Sequence, residues 1–336
     1  MDDAAARQTL TARQVPAKTL TVPTTVSPEL QRSISNLATT PRMAMEQMPT
    51  TADQWRAFVA VADAQAAALG PILASLFPHT MNITEIAGVK VREITPANLD
   101  PTKAGKVLIN LHGGGYVLNG GDASTGEAVL GAHYSGMKVI SVDYRMAPDH
   151  PFPAALEDAL AVWQAVTADL DPTSIGVFGT SAGGGLTLAL TLKLKSLGQA
   201  LPGALALGTP WVDLTGASDS YAVNAEVDGI FSSFDTIGKS MAALYAGSAG
   251  VTDPLVSPIF GDFAGFPPTI FTTGTRDILL SDTVRAYRSM RASGVEARLE
   301  VHEAMSHAEY IYAFDSPESA VAFGDIAAFF DRHLAG

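Results

Sequence analysis

The stretch Ser174-Ile175-Gly176-Val177-Phe178-Gly179-Thr180-Ser181-Ala182-Gly183 decides how the rest of the chain is read. Its first five residues form a short apolar run of the kind that becomes a buried strand. Beyond it Leu186, Leu190, Leu194 and Leu197 recur at helical spacing until Gly198 ends the run. Gly-x-Ser-x-Gly between a strand and a helix is the pattern of a nucleophilic serine on a strained turn, so cramped that glycine is needed two positions to either side. An ordinary glycine-rich loop can carry the same five letters, so the meaning of Ser181 depends on its surroundings.

Outward from that turn the chain alternates. The segment from Asn82 to Thr95, with Ile83, Ile86, Val89, Val91 and Ile94 broken at Gly88, predicts an antiparallel hairpin. Strands follow at Lys106 to Leu111, Lys138 to Val142, Ser174 to Phe178, Ala204 to Gly208, Thr269 to Thr273 and Arg298 to Val301, most of them separated by helical patterns. Such alternation means an α/β domain with a mostly parallel central sheet and helices on both faces, in which ligands gather at the carboxyl ends of the strands.

Composition narrows the function classes. A chain of 336 residues, 47% hydrophobic and 16% charged, can bury a large core. A net charge of −13 repels nucleic acid and anionic lipid surfaces, so the expected partner is a small neutral molecule. The absence of cysteine excludes disulfides, thiolate metal sites and a cysteine nucleophile. No run reaches the ~18 consecutive apolar residues of a membrane span, and the start lacks a basic segment followed by an apolar one, which points to the cytoplasm.

Directly after the strand ending at Leu111 comes His112-Gly113-Gly114-Gly115-Tyr116. Consecutive glycines leave backbone N–H groups unshielded, free to hold an oxyanion, and the N–H of Ala182 would complete that hole. A phosphate-binding loop is disfavoured, since no Gly-Lys-Ser/Thr follows. A serine nucleophile needs a base, and the base needs a carboxylate to orient its ring. Of seven histidines, His307 is the candidate, on a loop just past the last strand; His302, at the strand end, reads as structural. Asp277, after the strand Thr269 to Thr273, is the candidate acid; Asp282 is the alternative acid, read first as the cap of the following helix. Asp143 and Arg145, beside Pro148, Pro151 and Pro153, read as bracing beneath the site.

Residues from about 80 onward resemble the hormone-sensitive-lipase-like bacterial carboxylesterases, in the branch that carries Gly-Thr-Ser-Ala-Gly. The resemblance rests on His112 to Gly115, Asp143-Tyr144-Arg145-Met146-Ala147-Pro148, Phe152-Pro153-Ala154-Ala155, the Ser181 pentapeptide and Asp277. It implies an α/β-hydrolase fold, no metal or organic cofactor, oxyanion donors mainly at Gly114, Gly115 and Ala182, short-chain acyl ester substrates, and pairing of two copies through the edge of the last strand. It also implies a helical cap built from the N-terminal helices and an insert at Thr215 to Gly250. The corresponding division is an arm and first cap segment over 1–50, a cap helix over 51–80 with Thr50 and Asp53 as its capping pair, and a catalytic domain over 81–336. One departure stands out: Ala308 and Glu309 follow His307, where the family usually has glycine and an aromatic residue.

Tyr116, Leu118, Trp211, Phe231, Phe234 and Tyr245 are the candidates to line a pocket for a small neutral ester. An esterase is the first reading. A lactone, carbamate or amide hydrolase, or an acyltransferase, would use the same site, and a non-catalytic binding module would lack the serine or the base.

Overall fold

A computed structural model describes residues 13–39 and 48–336; residues 1–12 of the expected arm and 40–47 of the first cap segment lie outside the described residues. Eight strands, β1 (His79–Ile86), β2 (Val89–Pro96), β3 (Val107–Leu111), β4 (Lys138–Val142), β5 (Ile175–Thr180), β6 (Ala204–Gly208), β7 (Thr269–Gly274) and β8 (Ala297–His302), form one sheet in the order β1-β2-β4-β3-β5-β6-β7-β8. β1 and β2 are an antiparallel hairpin turned by Ala87 and Gly88, both at positive φ (50° and 79°), which matches the twist of a tight two-residue turn. β2 also runs antiparallel to β4. From β4 to β8 every neighbouring pair is parallel.

Eleven α-helices are described: α1 (Pro28–Thr39), α2 (Ala52–Ala67), α3 (Gly70–Leu76), α4 (Thr125–Ser135), α5 (Ala154–Val166), α6 (Ala182–Ser196), α7 (Ser220–Val223), α8 (Lys239–Ala246), α9 (Leu280–Ala292), α10 (Glu309–Tyr312) and α11 (Pro317–His333). The central strand shows why both faces are covered. In β5, Ile175 and Val177 join the core under Trp163 of α5 and Leu186 of α6, whereas Phe178 joins the opposite core with Leu130 of α4 and Phe330 of α11. Period-two side chains that are apolar on both sides require helices on both sides. Gly176 belongs to the second face, where a Cβ would lie 2.5 Å from the Phe330 ring.

The N-terminal helices attach by narrow contacts. On α2 only Trp55 is fully buried, and its N-terminus is capped by Thr51 with Gln54, not by the expected Thr50 and Asp53. The Gln54 side chain reaches back to Thr50 and Thr51 N–H while its own N–H donates to Thr51 Oγ1, a reciprocal box that Asp53 is one residue too early to make. By length and composition alone Ala52–Leu76 is apolar enough to cross a membrane. Midway along it, Asp63 accepts the N–H groups of Asn119 (2.7 Å) and Gly120 (3.0 Å), tying α2 to the loop that follows β3. α1 packs through Leu30 and Ile34 into the core beneath Met305 and Tyr310.

Candidate active site

Ser181 sits between β5 and α6 with φ 59° and ψ −122°, a backbone conformation that L-residues avoid. Its N–H donates to Gly208 O (2.8 Å) and its carbonyl accepts from Trp211 N (2.9 Å), so the loop after β6 holds the turn in place. The flanking glycines answer to the neighbouring strand. A Cβ on Gly179 would lie 2.2 Å from Leu111 O, and one on Gly183 only 1.8 Å from the same atom. The end of β3 presses into the turn, and only hydrogen fits.

The loops after β7 and β8 bring Asp277 and His307 together. His307 Nδ1 lies 3.0 Å from Asp277 Oδ1, both side chains being buried. The carboxylate is fixed in turn by Thr273 Oγ1 on Oδ2 (2.6 Å) and by Leu279 N–H on Oδ1 (2.8 Å). An Nδ1–H donated to that carboxylate leaves Nε2 as the acceptor on the other side of the ring. Burial disfavours the imidazolium, but the hydrogen bond and charge of Asp277, reinforced by Asp228 and Asp282, outweigh it and raise the His307 pKa.

His307 and Ser181 open onto one cavity of about 240 Å³, which Gly113, Gly114 and Gly115 also line. Gly114 and Gly115 have positive φ (117° and 63°), and a Cβ would lie 2.2 Å from Leu118 O at the first and 2.4 Å from Met241 Sδ at the second. Among the described residues the N–H groups of Gly114, Gly115 and Ala182 meet no acceptor. Gly113 also anchors the loop through its carbonyl, which lies 2.7 Å from His112 Nδ1. Below the loop, Asp143 accepts Gly121 N–H (2.9 Å) and pairs with Arg92 (3.0 Å), while Arg145 pairs with Asp158. That is the bracing arrangement expected of this segment.

The aromatic candidates divide. Leu118, Trp211 and Phe231 line the cavity; Tyr116, Phe234 and Tyr245 do not. Positive φ at Gly115 and Tyr116 turns the Tyr116 ring down into the core, where it stacks on Tyr245 with centroids 3.6 Å apart. Phe234 is held against Tyr221 (4.7 Å) and Trp211 (6.4 Å). Their places are filled by Leu69, Gly70 and Leu73 from the α2–α3 region, by Ile230, Ile237 and Met241 from the insert, and by Glu127 of α4. Sequence offers little signal for these, because apolar helix residues look the same whether they meet a core or a cavity.

Two carboxylates also behave unexpectedly. Asp282 does not cap α9: it lies inside the helix, fully buried, and accepts the N–H groups of Val212 (3.2 Å) and Asp213 (3.1 Å) and the hydroxyl of Ser218. Glu309 accepts Ser306 N–H (2.8 Å) and Ser33 Oγ (2.7 Å), linking α1 to the His307 loop. Ala308 is left-handed at φ 56° and ψ 13°, where glycine would be unstrained. His302 is apart from Ser181, at the end of β8 with Nε2 buried.

The sequence profile of the α/β-hydrolase-fold family matches residues 108–311, a span that includes Gly113 to Gly115, Ser181, Asp277 and His307. An esterase from Acinetobacter venetianus is 32% identical over 272 residues, covering 78% of this chain and 88% of that protein. The crystal structure of esterase E25 superposes with a TM-score of 0.92 at 37% identity, covering 96% of this chain and 99% of that one. An esterase from the bacterial hormone-sensitive lipase family superposes at 0.74 with 30% identity, over 92% of this chain and 99% of that one. This chain belongs to the hormone-sensitive-lipase-like esterases. As a carboxylic ester hydrolase of that family it carries its candidate groups on the carboxyl-end loops of β3, β5, β7 and β8, the edge where a doubly covered parallel sheet gathers ligands.

Proposed function

We propose that the enzyme hydrolyses short-chain acyl esters by acyl transfer through Ser181, His307 and Asp277. The observation that carries this reading is the His307 Nδ1–Asp277 Oδ1 contact of 3.0 Å beside a cavity that also holds Ser181 and the free N–H groups of the glycine loop. His307 takes the Ser181 proton, and the oxygen attacks the ester carbonyl. Gly114, Gly115 and Ala182 stabilise the resulting oxyanion. The imidazolium then protonates the leaving alcohol, and a water repeats the sequence to release the acid while Asp277 stays ionised.

Cavity size supports a small acyl group. About 240 Å³ falls below the ~300–1,000 Å³ of pockets for drug-sized ligands. The wall is mainly apolar, which suits a neutral ester, and the helices α2 and α3 together with the 215–250 insert act as its cap. No described group of histidine and acidic residues is arranged to hold a metal, and the proposed steps need none.

A panel of p-nitrophenyl esters from acetate to palmitate, run beside lactones, tests the assignment, with a fluorophosphonate probe to report the labelled serine. The expected result is greatest turnover on the shortest acyl chains, labelling at Ser181, and loss of both in Ser181→Ala with an unchanged melting temperature. Undiminished turnover in Ser181→Ala would overturn the serine, and a preference for palmitate would overturn the chain-length reading.

A further inference from the structure

Asp228 comes from the insert, not from a strand-end loop, yet its buried carboxylate reaches the loops of both Asp277 and His307. Oδ2 accepts the backbone N–H of Ile278 (2.9 Å) and of His307 (3.0 Å). Oδ1 accepts those of Ile230 (2.8 Å) and Phe231 (3.0 Å), which close the insert around the same group. A single oxygen thus joins the residue after the acid to the base itself.

Two residues upstream extend the contact. Asn224 Nδ2 donates to Asp277 O (2.8 Å), while Ser220 Oγ donates to Ile278 O (2.7 Å) and accepts Ser281 N–H (2.9 Å). The spacing Ser220-x3-Asn224-x3-Asp228 therefore directs three polar side chains of the insert at one stretch, 277–281.

The chemistry of the contact needs an anion. Four N–H groups converge on two oxygens, and a carboxylate offers acceptors at both; an amide would turn an NH₂ against one pair. Burying such a charge is costly, and burial is the main reason the Asp228 pKa rises, to about 6. A neutral loop anchor would avoid that cost. The charge also faces the imidazole, which feels Asp277 from the β7 loop and Asp282 from α9 as well.

We propose that Asp228 is a positioning residue for acyl transfer: it holds the Asp277 and His307 loops in one register, so that the imidazole faces Ser181 only while the insert is seated. This rests on the roles given above to Ser181, His307 and Asp277. It adds that one part of the cap sets the alignment of the acid–base pair as well as covering the cavity.

The test is Asp228→Asn in the full chain, assayed on p-nitrophenyl butyrate across pH beside Ser181→Ala and His307→Ala. The expected result is kcat lower by ~10–100-fold with KM within about twofold, as for a misaligned but intact site. The pH midpoint of kcat should also move down, since a negative charge has left the side of the imidazolium. Wild-type kcat in Asp228→Asn overturns the proposal, as does a loss of kcat with an unmoved pH midpoint. If Asp228→Asn does not fold, Asn224→Ala decides: it cuts the bond to the Asp277 carbonyl and leaves the buried charge, so kcat should fall with KM and midpoint unchanged, and unchanged kcat overturns the proposal. Activity retained in Ser181→Ala or His307→Ala would instead overturn the underlying mechanism, whatever Asp228→Asn shows.

Discussion

Glu127 Oε1 lies 2.6 Å from Thr180 Oγ1, so a buried carboxyl on α4 is hydrogen-bonded to the residue immediately before Ser181. Its other oxygen accepts Asn110 Nδ2 (3.2 Å), and Thr180 Oγ1 also meets the Tyr310 hydroxyl. Desolvation dominates these bonds and pushes the Glu127 pKa from 4.5 to about 7. Because the folded pKa is the higher one, the folded state keeps a proton that the unfolded state has lost. Stability therefore falls as pH rises from 4.5 to 7. Glu127→Gln should be nearly neutral at pH ~5 and more stable than wild type at pH ~8 by a few kcal/mol, on the order of the linkage for such a shift. Asn110 can accommodate the amide by flipping toward Ser141. Melting curves at the two pH values check this, and an equal effect at both would refute it.

On the proposed mechanism the activity profile follows from His307. Acting as the base, it must be neutral to take the Ser181 proton, and its pKa is raised. Turnover of p-nitrophenyl butyrate should rise with pH around a midpoint above the ordinary histidine value of ~6.5. A flat profile from acid to neutral pH would exclude an imidazole base. Asp277→Asn should lower kcat by roughly 10⁴-fold, because an amide no longer selects the required tautomer.

Two glycines make opposite predictions. Gly183→Ala drives a methyl to 1.8 Å from Leu111 O and should destabilise by more than ~4 kcal/mol or prevent folding. Gly324→Ala, inside α11 with nothing within 4 Å of the added carbon, should stabilise by about 0.5–1 kcal/mol through helix propensity. Thermal melts of the two variants give the comparison.

Ala308 is strained where glycine would be relaxed. Ala308→Gly removes a left-handed penalty of ~1–2 kcal/mol but adds backbone entropy to the unfolded chain, for a net gain of about 0.5 kcal/mol. A higher melting temperature with kcat within twofold is the expected result, by the same order-of-magnitude reasoning. A lower one would mean that the methyl packs productively.

Leu73 of α3 is buried and lines the cavity. Truncation to alanine should move the preferred acyl chain toward longer esters, with the kcat/KM ratio of hexanoate to acetate rising by roughly tenfold, in line with ~1–3 kcal/mol per methylene in an apolar pocket. An unchanged ratio would place the acyl group elsewhere in the cavity.

The six strands β3 to β8 were legible to within a residue or two from short runs such as Lys138 to Val142, observed as Lys138–Val142, whereas β1 starts at His79, three residues before the expected Asn82, because its outer half is mostly polar and exposed. Ser181 and its glycines were legible for a similar reason: the crowding by Leu111 O leaves a mark in the letters at 179 and 183. The pocket was half legible. Leu118, Trp211 and Phe231 face the cavity while Tyr116, Phe234 and Tyr245 face the core, and nothing in an aromatic letter says which way its ring turns. Asp282 illustrates a further limit, since a helix-start aspartate commonly caps, and only the loop after β6 supplies the donors that bury it.

From its letters alone this protein's class was decided: the alternation of strands and helices, the turn that lifts Ser181 and the glycine loop after Leu111 are local patterns that local sterics and periodicity impose. What only the folded chain decided is which distant groups share a low-dielectric space. Asp228 and Glu127 become buried acceptors, and Leu73 becomes a cavity wall, because partners far away in sequence close around them. Desolvation and contact depend on those neighbours and not on the residue's own identity.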